Sequence, residues 1–131
     1  MKKTVALFCT ALLTTALSIN AYAVNELQPT MRSMGKSLST AEKSDDLTVI
    51  KKELTVLHES ALQAQKVVPD HLKNQPADSA ERKLFTEGIT KLLAQIDVAQ
   101  AAANKGNLEE TKLALENVKA IRNEYHKKLK P

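Results

Sequence analysis

The sequence predicts an all-α protein built as a bundle of four helices, and three observations favour this class. Ala, Leu, Lys, Glu and Gln, which are good helix formers, dominate the 131-residue chain. Gly and Pro number only 3 and 4 and aromatic residues make up 3%, a composition that disfavours a β-sandwich or barrel. Four stretches repeat apolar residues at alternating spacings of three and four, as amphipathic helices do.

The first 23 residues have the features of a cleaved signal peptide. Two lysines precede a short apolar run, and Ala21-Tyr22-Ala23 has the small-x-small pattern that signal peptidase recognises. The apolar run is too short to anchor the chain in a bilayer, and no stop-transfer sequence follows it. We therefore predict a signal peptide at 1–23, a single domain at 24–131 with no membrane anchor, and export to a bacterial periplasm.

Removing the signal peptide changes the charge and the cysteine content of the chain. The net charge falls from +4 to +2, which gives little support to nucleic-acid binding. Cys9, the only cysteine, is also lost, so the mature domain has no disulfide and no Cys-x-x-Cys-His site for covalent haem. A small exported domain without disulfides depends on packing or on a bound ligand for its stability.

Apolar periodicity and capping residues predict helices at about 25–42, 47–68, 80–104 and 108–129. Pro29 is compatible with the first turn of the first helix. Asp78 or Ser79 is expected to cap the third helix, with Asp78 and Glu81 at capping-box spacing. Gly106 follows the third helix, and Asn107 caps the fourth. Connections that are mostly short predict an antiparallel up-down-up-down bundle.

In this topology the first and third helices begin at one end of the bundle, and the second and fourth helices finish there. Met31, Phe85 and the segment Arg122–His126 are therefore expected to be neighbours. A thioether and an imidazole on facing helices have the chemistry of two axial haem ligands, and Phe85 would supply an apolar wall. Two axial ligands leave no position for a substrate, which favours electron transfer over catalysis.

Each of these residues also has an ordinary structural role. Met31 lies on the core stripe, where methionine commonly fills gaps, and His126 is placed to complement the helix dipole. Arg122 either pairs with a haem propionate or extends from the apolar seam to water. The lysines of the last turns are expected to be surface charges, with a docking patch for an acidic redox partner as the alternative: Lys119, Lys127, Lys128 and Lys130.

Three other side chains are alternative ligands. Met34 is one turn deeper than Met31 on the same stripe, His71 lies in the long loop at the same end, and His58 is expected at the surface. The chain contains no His-Glu-x-x-His, no Glu-x-x-His and no nucleotide-binding loop, so zinc protease, di-iron and nucleotide sites are excluded.

Short segments across the whole of 24–131 carry a family resemblance, and the last of them is the most specific: Met31, Ala61-Leu62-Gln63-Ala64-Gln65-Lys66, Pro76 through Ser79, Gln95-Ile96-Asp97, Ala103-Asn104-Lys105-Gly106 and Arg122-Asn123-Glu124-Tyr125-His126. On these segments the mature chain resembles the soluble periplasmic cytochrome b562 family.

The resemblance implies one non-covalent haem b per chain, with Met31 and His126 as axial ligands. It also implies Phe85 as a pocket aromatic, with Arg122 and Tyr125 flanking the haem. We expect a monomeric periplasmic b-type cytochrome that carries one electron to an unknown redox partner and is not an enzyme. The family has a second Phe where this chain has Ile89, so weaker haem binding is expected. The alternative function is that of an exported, cofactor-free bundle acting by interaction, as a chaperone does.

Overall fold

The computed structural model describes residues 27–130, which form four α-helices: α1 (Leu27–Lys43), α2 (Leu47–Gln65), α3 (Ala80–Asn104) and α4 (Leu108–Lys128). A short 3-10 turn at Asp70–Leu72 lies between α2 and α3. Within this range no residue is in a strand, and no helix is long and apolar enough to cross a membrane. The predicted all-α four-helix bundle is confirmed, while the predicted signal peptide at 1–23 lies outside the described residues.

The helices run up-down-up-down. Each neighbouring pair is joined by a hydrogen bond between the first half of one helix and the second half of the other: Ser33–Ser60, Leu54–Gln100, Glu87–Tyr125 and Glu42–Lys112. These four contacts fix the antiparallel order that the short connections predicted.

Capping residues set the start of α2 and, as predicted, the start of α4. The Asp46 side chain accepts a hydrogen bond from the Thr48 N–H at 2.8 Å, and Asn107 accepts one from the Glu110 N–H at 3.0 Å. Each satisfies an N–H that has no partner within its helix. Gly106 ends α3 with φ of 78°, a left-handed conformation that glycine adopts without steric cost.

The segment between α2 and α3 differs in detail from the prediction. The α2 helix ends at Gln65 rather than Val68, because the residue before a proline is disfavoured in helical conformation and Pro69 follows. Ser79 is the cap of α3, accepting from the Arg82 N–H at 3.3 Å, so the capping box predicted from Asp78 is not formed.

The core consists of the predicted apolar stripes, which face one another along the bundle axis. Its largest fully buried apolar side chains are Ile50, Leu54, Leu57, Leu72, Ile96, Leu115 and Val118. The packing is uneven, because α1 and α4 contact each other much less than the other three neighbouring pairs do. The seam between α1 and α4 is therefore where the bundle is most open.

Candidate functional site

An apolar cleft lies between α1, α3 and α4, at the end of the bundle that holds the start of α1 and the end of α4. All five residues that the sequence predicted for the site line this cleft: Met31, Phe85, Arg122, Tyr125 and His126. Met31 comes from α1, Phe85 from α3, and the other three from the last turns of α4. The structure thus brings together residues that lie up to 95 positions apart in the chain.

Two methionine side chains line the cleft. Met31 is half-buried, and Met34, one turn deeper, is 6% exposed. Both belong to the apolar stripe of α1 and both pack against the core. The cleft therefore holds two thioether groups at different depths, and Met31 is the one closer to solvent.

His126 is the only histidine among the residues that line the cleft. Although His126 is exposed overall, partial desolvation of its ring where it lines the cleft, and to a lesser extent the positive charge of Arg122, lower the pKa of His126 below its usual value. A lower pKa favours the neutral imidazole, which is the form that binds metal ions.

Arg122 lies half-buried on the α4 seam, beside His126. Its guanidinium donates to the side-chain oxygen of Asn123 from Nε at 3.2 Å and from Nη2 at 3.1 Å. Within residues 27–130 it forms no ion pair with a carboxylate. The guanidinium keeps its capacity to pair with an anionic group of a ligand.

Tyr125 contacts the cleft with its ring, while its hydroxyl is directed at α3. The ring is buried, and the hydroxyl donates to Glu87 Oε1 at 2.8 Å. Lys91 also contacts Glu87 Oε1 at 2.8 Å, and the Lys128 ammonium lies 4.9 Å from the ring centroid. The hydrogen bonds from Lys91 and then from Tyr125 lower the pKa of the Glu87 carboxyl. This network fixes the position of the residue next to His126.

Two glycines shape the walls of the cleft, and neither was among the predicted site residues. A Cβ built on Gly88 of α3 would lie 2.6 Å from Tyr125 Cδ1, so only glycine leaves room for that ring. A Cβ on Gly35 of α1 would have no atom within 4 Å, so the wall there faces open space. The available signal was an isolated glycine inside a helical pattern, which usually has a packing or functional reason.

The other two histidines are not at the cleft. His71 is exposed in the 3-10 turn, and His58 Nε2 lies 3.2 Å from Asp97 Oδ1 between α2 and α3. In the part of the chain that the structure describes, no three His, Cys, Asp or Glu side chains are grouped to hold a metal ion. The cleft is lined by one imidazole, that of His126, and by two thioethers, which are groups of the kind that ligate haem iron.

The size of the cleft limits how a ligand can lie in it. The enclosed volume is about 110 Å³, which is below the roughly 300–1,000 Å³ of most small-molecule pockets. A planar tetrapyrrole would therefore extend into the open mouth between α1 and α4. The apolar walls, the open space over Gly35, the sulfur and imidazole groups from different helices and the cation of Arg122 fit such a group.

Comparison with known proteins agrees with this geometry. The family model for cytochrome b562 matches residues 26–130. The chain belongs to the cytochrome b562 family. This match covers all four helices and the whole cleft, and it confirms the family that the sequence motifs indicated.

Two cytochrome b562 relatives from Yersinia pestis are similar over most of their length. The chain is 38% identical to "Probable soluble cytochrome b562 2", over 97% of both chains. It is 36% identical to "Probable soluble cytochrome b562 1", over 76% of this chain and 79% of that one. An uncharacterized protein of Pasteurella multocida is 28% identical over 87% of this chain and 89% of its own.

Membership in the cytochrome b562 family implies an electron carrier that uses a b-type haem. The family is in general one of carriers rather than of enzymes. Ile89, at the position where the resemblance implied a second phenylalanine, is 6% exposed and lines the cleft with Phe85. The weaker haem affinity expected from this replacement stays a prediction.

Proposed function

We propose that this protein is a periplasmic electron carrier that binds one haem b non-covalently, with Met31 and His126 as axial ligands. One observation supports the proposal above all others. A thioether from the first helix and an imidazole from the last helix line the same apolar cleft, which opens along the least tightly packed seam of the bundle. No cysteine occurs in 24–131, so the binding would be non-covalent.

Haem supplies an iron that alternates between the ferrous and ferric states and so carries one electron. The residues of the chain determine how it is held. Met31 offers a soft sulfur that favours the ferrous state, while the lowered pKa of His126 keeps its imidazole neutral for binding. Phe85 and the apolar walls would exclude water from the ring, and Arg122 would pair with a propionate.

Two further parts of the proposal concern the state of the protein in the cell. With ligands on both faces of the iron, no coordination position is left for a substrate, which is why the protein would carry electrons rather than catalyse a reaction. Residues 1–23 would direct export and be removed, leaving a monomeric domain at 24–131. Its redox partner would be another periplasmic protein.

The test is a haem reconstitution of residues 24–131, followed by absorption spectroscopy. We expect a six-coordinate low-spin spectrum in the wild type. His126→Ala should abolish it, and Met31→Ala should give a five-coordinate or high-spin spectrum. His71→Ala and His58→Ala are the matched controls, since both imidazoles lie away from the cleft and their loss should leave the spectrum unchanged.

Three outcomes of this experiment would contradict the proposal in different ways. A larger effect from Met34→Ala than from Met31→Ala would show that the deeper sulfur is the ligand. An unchanged spectrum in His126→Ala would remove the imidazole from the site. A colourless but stably folded wild type, even with excess haem, would favour the alternative function of a cofactor-free interaction protein.

A further inference from the structure

Charge is divided unequally between the two ends of the bundle. We divide each helix near its midpoint and name the part that contains the cleft (27–36, 58–92 and 119–130) the cleft half. The remaining described residues (37–57 and 93–118) form the distal half. The cleft half has twelve basic and six acidic residues, a net charge of +6. The distal half has five basic and eight acidic residues, a net charge of −3.

Helix dipoles explain only part of this asymmetry. Basic residues in the last turn of α4 and acidic residues in its first turn complement the dipole in the usual way. Arg32 and Lys36, however, lie outside the last turn of α1, where the dipole would favour positive charge. Lys36 and Lys130 are both exposed and form no ion pair within residues 27–130. The cleft half therefore carries more positive charge than its helix ends require.

The positive charge lies at the same end of the bundle as the cleft, where an electron would enter or leave. The mouth of the cleft opens at this end, and His126 is exposed there. The two propionates of a haem would reduce the charge of the cleft half only from +6 to +4. A surface of this sign attracts and orients an acidic macromolecule, and it raises association rates about 10- to 1,000-fold at low salt.

We propose that the cleft half is the docking surface for a redox protein whose own cofactor is surrounded by acidic side chains. This inference rests on the proposed function, because it requires a haem in the cleft. With a haem held by Met31 and His126, the complex would pass one electron from the ferrous iron, which would become ferric, to the oxidised centre of the partner, which would be reduced by one electron. The reverse transfer uses the same surface. Neither direction breaks a bond or moves a proton.

The test compares two double variants with the same change in net charge. Lys36→Glu with Lys130→Glu reverses two charges in the cleft half, and Lys51→Glu with Lys52→Glu reverses two in the distal half. All four lysines are exposed and form no ion pair in the described part of the chain. The probe is a plant-type [2Fe–2S] ferredoxin, an acidic protein with a potential low enough to reduce the ferric haem.

Stopped-flow spectroscopy would measure the bimolecular rate of haem reduction in each haem-loaded protein. At an ionic strength of about 0.01 M we expect the cleft-half variant to react about tenfold more slowly than the wild type, and the distal-half variant to lose much less. At about 1 M, where the Debye length is only about 3 Å, the three rates should converge. Equal slowing by both variants, or a rate independent of salt, would overturn the proposal.

A second readout does not depend on electron transfer. Titration of the isotope-labelled protein with ferredoxin should shift amide NMR signals in 27–36 and 119–130, and much less in 37–57. Shifts centred on the distal half would overturn the proposal. Shifts absent with ferredoxin but produced by phosphatidylglycerol vesicles would assign the surface to a membrane, which also overturns it. A wild type that binds no haem would refute the proposed function, whereas the NMR titration would still decide the docking surface.

Discussion

Two helical glycines are expected to respond in opposite ways to replacement by alanine. A Cβ on Gly88 would lie 2.6 Å from Cδ1 and 2.7 Å from Cγ of Tyr125, much closer than carbon atoms pack. The ring is held in place, because Tyr125 is only 4% exposed and its hydroxyl is bonded to Glu87. A Cβ on Gly35 would meet no atom within 4 Å.

The two substitutions share one energy term and differ in another. Both alanines gain about 1 kcal/mol from their higher helix propensity. Gly88→Ala also incurs an overpacking cost of about 1–3 kcal/mol. The shared gain cancels in the comparison, so Gly35→Ala should be more stable than Gly88→Ala by about 1–3 kcal/mol. In a domain of about 100 residues, each 1 kcal/mol corresponds to roughly 4–8 °C in Tm.

Urea unfolding of the two variants without added haem, followed by helical circular dichroism, measures this difference. The slope of free energy against urea should be the same in both, so that the midpoints report stability. In the Tyr125→Leu background the leucine side chain has no aromatic ring, so the destabilisation caused by Gly88→Ala should be smaller. Equal stability of the two alanine variants, or a more stable Gly88→Ala, would refute the close packing of Gly88 against Tyr125.

Two further predictions concern haem binding and helix capping. Haem affinity should fall about tenfold per pH unit below the pKa of His126, because the protonated imidazole cannot bind iron. Burial and Arg122 lower that pKa, so the decline in affinity should begin below about pH 6.5, the ordinary pKa of histidine. Arg122→Gln should raise the pKa and move the decline to higher pH. Haem titrations that show no pH dependence of affinity would contradict this prediction. Asn107→Ala should cost about 0.5–2 kcal/mol in urea unfolding by removing the bond to the Glu110 N–H. Asn117→Ala, at an exposed position in the interior of α4, is the control and should cost nothing.

The helices were predictable because apolar spacing and capping are local properties of the sequence. The limits of α3, at Ala80–Asn104, are those that its stripe and its flanking residues indicated. The end of α2 was placed three residues too late because the apolar stripe continues to Val68, although Pro69 already disfavours helix there. At this position the steric effect of Pro69 on the backbone outweighs the apolar periodicity of the side chains.

The helix ends that form the cleft were predictable from topology, while the close packing of its walls was not. Antiparallel helices with short connections bring Met31 and His126 to one end whatever the details of packing. The closeness of Gly88 to the Tyr125 ring depends on the distance between two helices, to within a fraction of an ångström. The bond from Tyr125 to Glu87 joins residues 38 positions apart, and no local pattern encodes it.

The loose seam between α1 and α4 also has a consequence for the order in which the bundle assembles. The α1–α2 and α3–α4 hairpins have three-residue turns, so each can form from contacts near in sequence. A haem bound by Met31 and His126 would cross-link the first and last helices and close a loop of about 95 residues, whose entropic cost rises only slowly with length. We expect the haem to bind late in folding and to hold the two hairpins together. Its removal should increase amide hydrogen exchange in α1 and α4 before it does so in α2 and α3.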